Sequence, residues 1–234
     1  MQDKILLKGE NFHHLAHVLR ARVGEQVEVC DGKGQDYFCI CSAFEKDHAA
    51  LRIQRTAANA AEQGPRITLY QCVAKGEKME LIITRTIEMG VHRIVPVMSR
   101  FCVARPAEAE KKLERWRKIA LAAAKQSGRG IVPRIEPMID IGQAIEQMAS
   151  AENAFVCYEK EQEQSLCQIP MTENISFLVG SEGGLAEEEA TLWQQKGIAQ
   201  VTLGKRILRT ENAAAYVLPI LHYKSMTEVE KHGK

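Results

Sequence analysis

The chain has 234 residues, with 31 Lys and Arg against 30 Asp and Glu, 45% hydrophobic and 6% aromatic residues, 16 Gly, 7 Pro and 7 Cys. Those proportions describe a globular protein able to bury an ordinary core, and they exclude a disordered or collagen-like chain. No apolar run approaches the roughly 18 to 20 residues of a membrane span, and Met1-Gln2-Asp3-Lys4-Ile5 lacks the apolar core of a leader, so the expected compartment is the cytoplasm.

Residues 1 to about 56 read mostly as short strands around one helix near 11–20, where Phe12, Leu15, Ala16 and Leu19 mark one face and His13, His17 and Arg20 the other. Gln26 to Cys30 alternates, Asp31-Gly32-Lys33-Gly34 supplies turn chemistry, and strands follow at 37–41 and 51–53, which suggests a small β-barrel-like unit. The stretch from Thr56 to Pro65 has no periodic large apolar residues and ends in Gly64-Pro65, a breaker expected to separate two domains. Beyond it strands and helices alternate: strand 67–73, helix 77–89, strand 93–97, helix 107–127, a strand near Ile135, helix 140–149, strands 154–158 and 175–179, helix 186–196, strand 199–203 and helix 211–223. Such alternation predicts a mostly parallel sheet covered on both faces, with ligands beyond the carboxyl ends of its strands.

Charge is unevenly spread. Residues 71–134 carry 14 Lys and Arg against 6 Asp and Glu, whereas residues 135–200 carry 2 against 12. A basic block of this kind suits a phosphate backbone, but it equally suits a solvated face or an internal partner for the acidic block. Lys111, Arg115, Lys118 and Lys125 form a stripe opposite Leu113, Trp116, Ala120 and Ala123, with the same two readings. The seven cysteines are odd in number and contain no CxxC pair, so buried reduced thiols are expected rather than a disulfide framework or a zinc ribbon. His13-His14-x-x-His17 lacks the glutamate of HExxH and a nearby cysteine, and no metal is expected there.

Two glycine-bearing loops stand out. Phe177-Leu178-Val179-Gly180-Ser181-Glu182-Gly183-Gly184-Leu185 is an apolar strand running into three glycines, and Gly204 follows the next strand in Val201 to Asn212. Glycine permits close backbone approach and positive φ, so both loops suit a small ligand as well as tight strand-to-helix turns. Neither GxGxxG nor a phosphate loop is present after the first strand of the second domain, although Lys75 and Lys78 bracket a turn suited to an anion. Arg209 and Glu211 flank Thr210, a possible helix cap, before the nearly all-apolar helix 213–221, which reads as core or as a subunit interface. An arginine and a carboxylate there are costly to desolvate unless they pair or act on a substrate.

These segments, with Lys75-Gly76-Glu77-Lys78-Met79-Glu80, Glu88-Met89-Gly90-Val91, Trp116 to Ala120, Ala122 to Arg129 and His14-Leu15-x-x-Val18-Leu19-Arg20, resemble the bacterial 16S ribosomal RNA uridine N3-methyltransferases of the SPOUT superfamily. The resemblance spans nearly the whole chain. It implies an α/β fold: a PUA-like β-barrel RNA-binding domain at 1–66, then a SPOUT-type domain at 67–234 with a mostly parallel sheet and a C-terminal trefoil knot. It implies S-adenosyl-L-methionine as cofactor, 16S rRNA of the small ribosomal subunit as partner, a homodimer through the C-terminal domain, and neither metal nor membrane. Ser181 stands where the family commonly has Pro, and Asn212-Ala213-Ala214 where it often has Thr-Thr-Ala.

On that resemblance Leu178, Gly180, Glu182, Gly183, Leu203, Gly204, Leu208 and Thr210 are expected to hold the cofactor. Arg209 is expected to orient the uracil or stabilise its developing charge, and Glu211 to accept the imide proton. Lys75, Lys78, Arg100, Gln126 and Arg129 are the expected RNA contacts, with His13, His17 and Arg20 extending that surface. No cysteine nucleophile is required for attack by N3, and only Cys102, following Arg100, lies in a basic loop that would suit one. Two other readings remain open: an RNA methyltransferase of the same architecture acting on another base or a ribose 2′-OH, and a non-catalytic RNA-binding or ribosome-assembly module.

Overall fold

A computed structural model describes residues 4–102 and 109–232, so positions 107 and 108 at the expected start of the long basic helix lie outside the described residues. The chain divides into two compact units, Met1–Glu62 with Arg129–Ile131, and Gln63–Gly128 with Val132–Lys234.

In the first unit β1 (Lys4–Lys8), β2 (Gln26–Cys30), β3 (Gln35–Phe44) and β4 (His48–Ala58) form an antiparallel sheet in the order β1-β4-β3-β2. Their alternation places Ile5, Leu7, Val27, Val29, Cys39, Cys41 and Leu51 in one core with Leu15. Leu15 belongs to a helical segment that begins as α1 (Gly9–His13) and continues as a π-type turn over His14–Val18. That turn corrects the expected helix face, because Leu19 is 62% exposed. The Leu19 N–H donates to the His14 carbonyl five residues back (2.9 Å), and the extra residue in the turn rotates Leu19 off the face set by Phe12 and Leu15.

Arg129 requires a second correction. Its guanidinium does not face solvent as an RNA contact; it forms a two-pronged pair with Glu62, Nε to Oε1 at 2.8 Å and Nη2 to Oε2 at 2.9 Å. The two side chains are only 3% and 9% exposed. Glu62 Oε1 also accepts from the Ile131 N–H (3.1 Å), and the Gly34 N–H donates to the Gly130 carbonyl (2.8 Å), so residues 129–131 are stitched to the first unit.

The second unit is a seven-stranded sheet of β5 (Arg66–Cys72), β6 (Arg93–Met98), β7 (Arg134–Ile135), β8 (Ile139–Asp140), β9 (Asn153–Cys157), β10 (Asn174–Val179) and β11 (Ala199–Val201). Every pairing is parallel, in the order β11-β9-β10-β5-β6-β7 with β8 also on β6. Among the described residues five α-helices accompany it: α2 (Lys78–Glu88), α3 (Ala109–Gln126), α4 (Ile141–Ala149), α5 (Glu187–Gln195) and α6 (Thr210–His232). Adjacent residues of each strand feed opposite cores. Ile67 and Leu69 pack with α2, α3 and α6, through Ile82, Ile83, Trp116, Val217 and Leu218. Tyr70 and Cys72 pack with α4 and α5, through Ile145, Met148 and Trp193.

Most boundaries of this unit shift by a residue or so from the sequence reading; β11 ends at Val201 rather than 203, and α6 continues to His232 rather than 223. The strand order has a functional consequence. Succession runs outward from β5 through β6 to β7 on one side, while β9, β10 and β11 lie on the other, so the direction of succession reverses between β5 and β10. Open parallel sheets bind ligands at the carboxyl ends of strands at such a reversal.

The Glu62 and Arg129 pair yields a stability test. Arg129→Ala removes the charged partner of a buried carboxylate and is expected to lower unfolding free energy by about 3–5 kcal/mol in urea titration, whereas replacing both residues by Leu and Met recovers most of that loss.

Candidate functional site

At the carboxyl ends of β9, β10 and β11 lies a cavity of about 530 Å³ within the second unit. That volume falls in the range of small-molecule and cofactor sites. Its walls are the glycine loop after β10, the segment from Thr202 to Thr210 and the residues ending β9. Of the residues expected from the sequence, Gly180, Glu182, Gly183, Leu203, Gly204, Leu208, Arg209 and Thr210 line it, and so does Lys78.

Leu178 and Glu211 do not line it. Leu178 is fully buried within β10, where it belongs to the core under α4 and α5, and its neighbour Val179 reaches the cavity instead. Glu211 lies in the first turn of α6, 8% exposed, with Oε2 buried and no hydrogen-bond partner among the described residues.

Thr210 joins the site together. Its hydroxyl donates to the Gly180 carbonyl (2.6 Å) and accepts from Gln71 Nε2 (2.9 Å), so one side chain connects the ends of β5 and β10 to the start of α6. Gln71 is fully buried, and its Nε2 also donates to the Cys72 carbonyl (3.0 Å). Close packing explains the glycines. A Cβ on Gly180 would lie 3.0 Å from the Gly184 carbonyl carbon, and one on Gly183 would lie 2.8 Å from Phe101 Cβ. Gly204 has open space around it, but its φ of +105° is poorly tolerated by other residues.

Three carboxylates meet these loops, and two are already spent on the protein. Glu182 receives the Lys78 ammonium (3.1 Å) and the Lys75 N–H (3.1 Å). Burial pulls its pKa upward, but its own backbone N–H, Lys78 and the Lys75 N–H outweigh that and hold it below the usual carboxylate range. Glu189, buried at the start of α5, accepts from the Arg100 N–H (2.7 Å) and the Ala186 N–H (2.8 Å), tying the end of β6 to the glycine loop. Glu159 is different: it lines the cavity and lies against Gly184, where a Cβ would come 2.4 Å from its Oε1. It has no ion pair among the described residues. The sequence reading missed Glu159, although its position just past a strand that ends at the ligand edge of a parallel sheet marks it. Arg206 and Arg209 add positive charge to the same cavity.

Cys102 lies apart from the cavity lining. A hydrogen bond with the Cys72 thiol brings the Cys102 thiol down to about 6; burial opposes this and the Ser99 hydroxyl, 3.3 Å away, assists. Its acidity therefore belongs to the loop after β6; the cysteine that does line the cavity, Cys157, is buried, and burial pushes its thiol well above the usual range.

The expected RNA contacts are dispersed. His13, His17 and Arg20 are exposed on the first unit, with the two imidazole rings 4.8 Å apart and Arg20 in a left-handed conformation (φ +54°). In the second unit Lys75 and Gln126 are exposed, while Lys78 pairs with Glu182 and Arg100 with Glu188 (2.6 Å). The stripe Lys111, Arg115, Lys118 and Lys125 is exposed, with Arg115 paired to Glu80 (2.8 Å). Among the described residues no group of three or more His, Cys, Asp or Glu is arranged to hold a metal, and no helix is long and apolar enough to cross a membrane.

Residues 62–222 match the family model of the RNA methyltransferase domain, and residues 7–54 match that of the RNA methyltransferase PUA domain. The chain is 31% identical over 230 residues to ribosomal RNA small subunit methyltransferase E of Bacillus subtilis, covering 94% of this chain and 90% of that one. Its fold is similar to the crystal structure of a ribosomal RNA small subunit methyltransferase E from Neisseria gonorrhoeae bound to S-adenosyl methionine. That likeness has a TM-score of 0.82 and 32% identity over 94% of this chain and 92% of that one. A Legionella pneumophila protein solved with the bound cofactor SAM gives a TM-score of 0.81 at 26% identity, over 94% and 92% of the two chains.

Removing the Thr210 hydroxyl tests the junction. Thr210→Val takes one hydrogen bond from the Gln71 amide and one from the Gly180 carbonyl and is expected to cost about 1–3 kcal/mol in chemical denaturation, while Thr210→Ser stays close to the parent protein.

Proposed function

We propose that this chain, which belongs to the RNA methyltransferase family of ribosomal RNA small subunit methyltransferase E, methylates N3 of a uridine in 16S ribosomal RNA of the small subunit, using S-adenosylmethionine. The observation that carries the reading is the glycine-walled cavity at the reversal of strand order, fixed by Thr210. It suits the cofactor on its own chemistry: a side chain at Gly180 or Gly183 would close the cradle, and exposed backbone and carboxylate groups face a space of about 530 Å³. The name that relatives at about 30% identity over most of the chain have in common supports the choice of RNA. The cofactor, when bound, supplies a methyl group made electrophilic by its sulfonium.

The residues of this chain then have positional and electrostatic work, since alignment of reacting groups is itself worth many orders of magnitude in rate. Backbone groups of Gly180, Gly183, Leu203, Gly204 and Leu208, with Thr210 and Glu182 behind them, shape the cofactor site. Leu178 contributes only by holding β10 in the core. Arg209, exposed on the cavity wall, orients the uracil and stabilises the negative charge that develops as its imide proton leaves. Glu211 is the proposed acceptor of that proton, supported by its buried and unpartnered Oε2 next to Thr210.

Lys75, Lys78, Arg100 and Gln126, together with His13, His17 and Arg20 from the N-terminal domain at 1–66, are the proposed RNA contacts; Arg129 holds that domain's structure instead. A homodimer through the C-terminal domain, at 67–234, is part of the same proposal. It is supported by Tyr216, Tyr223 and Met226 on α6, which are 45%, 69% and 67% exposed although Val217, Leu218 and Leu221 beside them are buried. The C-terminal knot is carried with it, supported by the return of α6 to the glycine loop through Thr210. A cytoplasmic location follows from ribosomal RNA as substrate.

Calorimetric titration with S-adenosylmethionine tests the site. Saturable binding is expected, weakened at least about tenfold by Gly180→Val and by Gly204→Val, with N3-methyluridine found in small-subunit RNA by nucleoside mass spectrometry; no binding at millimolar cofactor overturns the reading. Arg209→Ala is expected to slow turnover about 100-fold while changing cofactor affinity less than about twofold.

A further inference from the structure

The outward face of the N-terminal sheet brings basic side chains together. Residues 1–70 hold equal numbers of acidic and basic side chains, so nothing in their net charge singles them out. Strand pairing concentrates the basic ones. Lys4 of β1 stands directly opposite Arg52 of β4, and Arg52 opposite Ile40 of β3. One step along, Arg55 stands opposite Phe38, with its guanidinium carbon 3.4 Å from the centre of the Phe38 ring.

A bulge creates this arrangement. Between the pairs Phe38 with Arg55 and Cys39 with Ile53, β4 carries one extra residue, Gln54. Leu51 and Ile53 point into the core, so regular alternation would send residue 55 inward as well; the extra residue turns Arg55 outward beside Arg52. Like charges directly across a pair of strands destabilise a sheet, and Lys4 faces Arg52 in this manner. Lys4, Arg52 and Arg55 are exposed, and none of them has an ion pair among the described residues. The acidic residues on this side of the sheet are Glu28, opposite Phe38 on β2, and Asp36 of β3, which is buried and accepts from the Asn59 amide (3.0 Å). In the second unit Lys78, Arg100, Arg115, Lys160 and Lys196 pair with glutamates, while Lys75, Lys111, Lys118 and Lys125 are exposed.

We propose that this sheet face, built on Lys4, Arg52, Arg55 and Phe38, binds single-stranded RNA, the cations meeting phosphates and the Arg55 and Phe38 stack receiving an unpaired base. The proposal rests on the reading of the chain as an RNA methyltransferase and deepens it, by extending the N-terminal contact from the segment bearing His13, His17 and Arg20 onto the sheet. Phosphates resolve the repulsion between Lys4 and Arg52. A ring capped by a planar guanidinium is a stacking platform that any base can extend, and stacking of this kind requires bases that are out of a duplex. An acidic peptide would use the cations but not the ring.

The test uses the full chain and a fluorescently labelled, unstructured RNA of about 20 nucleotides, titrated at several salt concentrations, with S-adenosylmethionine binding measured in parallel. Arg52→Glu with Arg55→Glu is expected to weaken RNA binding more than about tenfold and to flatten its salt dependence by about one to two counterions. Phe38→Ala is expected to weaken it severalfold with the salt dependence unchanged, and Arg52→Lys with Lys4→Arg to stay near the parent. Wild-type RNA affinity in the charge-reversed protein, with cofactor binding intact as the sign of a folded chain, overturns the proposal. So does silence of Phe38→Ala combined with equal losses for RNA and polyglutamate, which would mark the face as an acidic-peptide site. Loss of affinity only when His13, His17 and Arg20 are replaced by alanine overturns it as well. Failure of the parent protein to bind S-adenosylmethionine would instead count against the catalytic reading.

Discussion

The Thr210 hydroxyl donates to the Gly180 carbonyl and accepts from Gln71, and the geometry of the cavity follows from that pair of bonds. Gln71 lies in the central strand, Gly180 opens the glycine loop, and Thr210 begins the last helix. The three elements are far apart in sequence, and no hydrophobic contact could set their termini so closely, since apolar packing is strong but not directional. The helix that starts at Thr210 then delivers Ala213, Ala214, Val217, Leu218 and Leu221 to the sheet as a continuous buried stripe. Burial of roughly 1.5–3 kcal/mol for each large side chain supplies the adhesion, and the hydroxyl supplies the register.

Around that junction the carboxylates divide their labour. Glu189 holds two backbone N–H groups from segments 86 residues apart, and Glu182 holds a third together with the Lys78 ammonium. Both serve as ties that keep the glycine loop open, and both have little capacity left for a ligand. Glu159 and the arginines at 206 and 209 are the charged groups facing the cavity without such duties. The site therefore offers a cationic cofactor and an anionic polymer separate charges of opposite sign within one space.

Much of this architecture was legible. The apolar runs of β5, β6 and β10 and the helical stripes between them identify a parallel α/β unit, because strands buried on both faces have almost no polar positions. The two glycine loops were legible for the same reason that they work: side chains are excluded there. Strand order was not, since it depends on which strands meet after the chain has turned, and with it went Glu159, whose role appears only once β9 is seen beside β10 and β11. Leu19 and Arg129 show two further limits. A π-type turn leaves no trace in a 3.6-residue pattern, and the partner that buries Arg129 stands 67 residues upstream, so an arginine beside Gln126-Ser127-Gly128 looked free when it was not. The charge blocks misled in a related way, because Lys78 and Arg100 from the basic block are neutralised by Glu182 and Glu188 from the acidic one.

The bulge at Gln54 separates the length of β4 from the chemistry of its surface. The pairs on either side of it, Ile53 with Cys39 and Arg55 with Phe38, use consecutive residues of β3, so loss of Gln54 would leave Ile53 inward and Arg55 outward in an unbroken ladder. A single in-frame codon deletion there would therefore keep both the core beneath the strand and the cationic face above it. Length variation in a strand, usually regarded as damage, is here confined to one unpaired residue whose loss leaves the sides of the sheet unchanged.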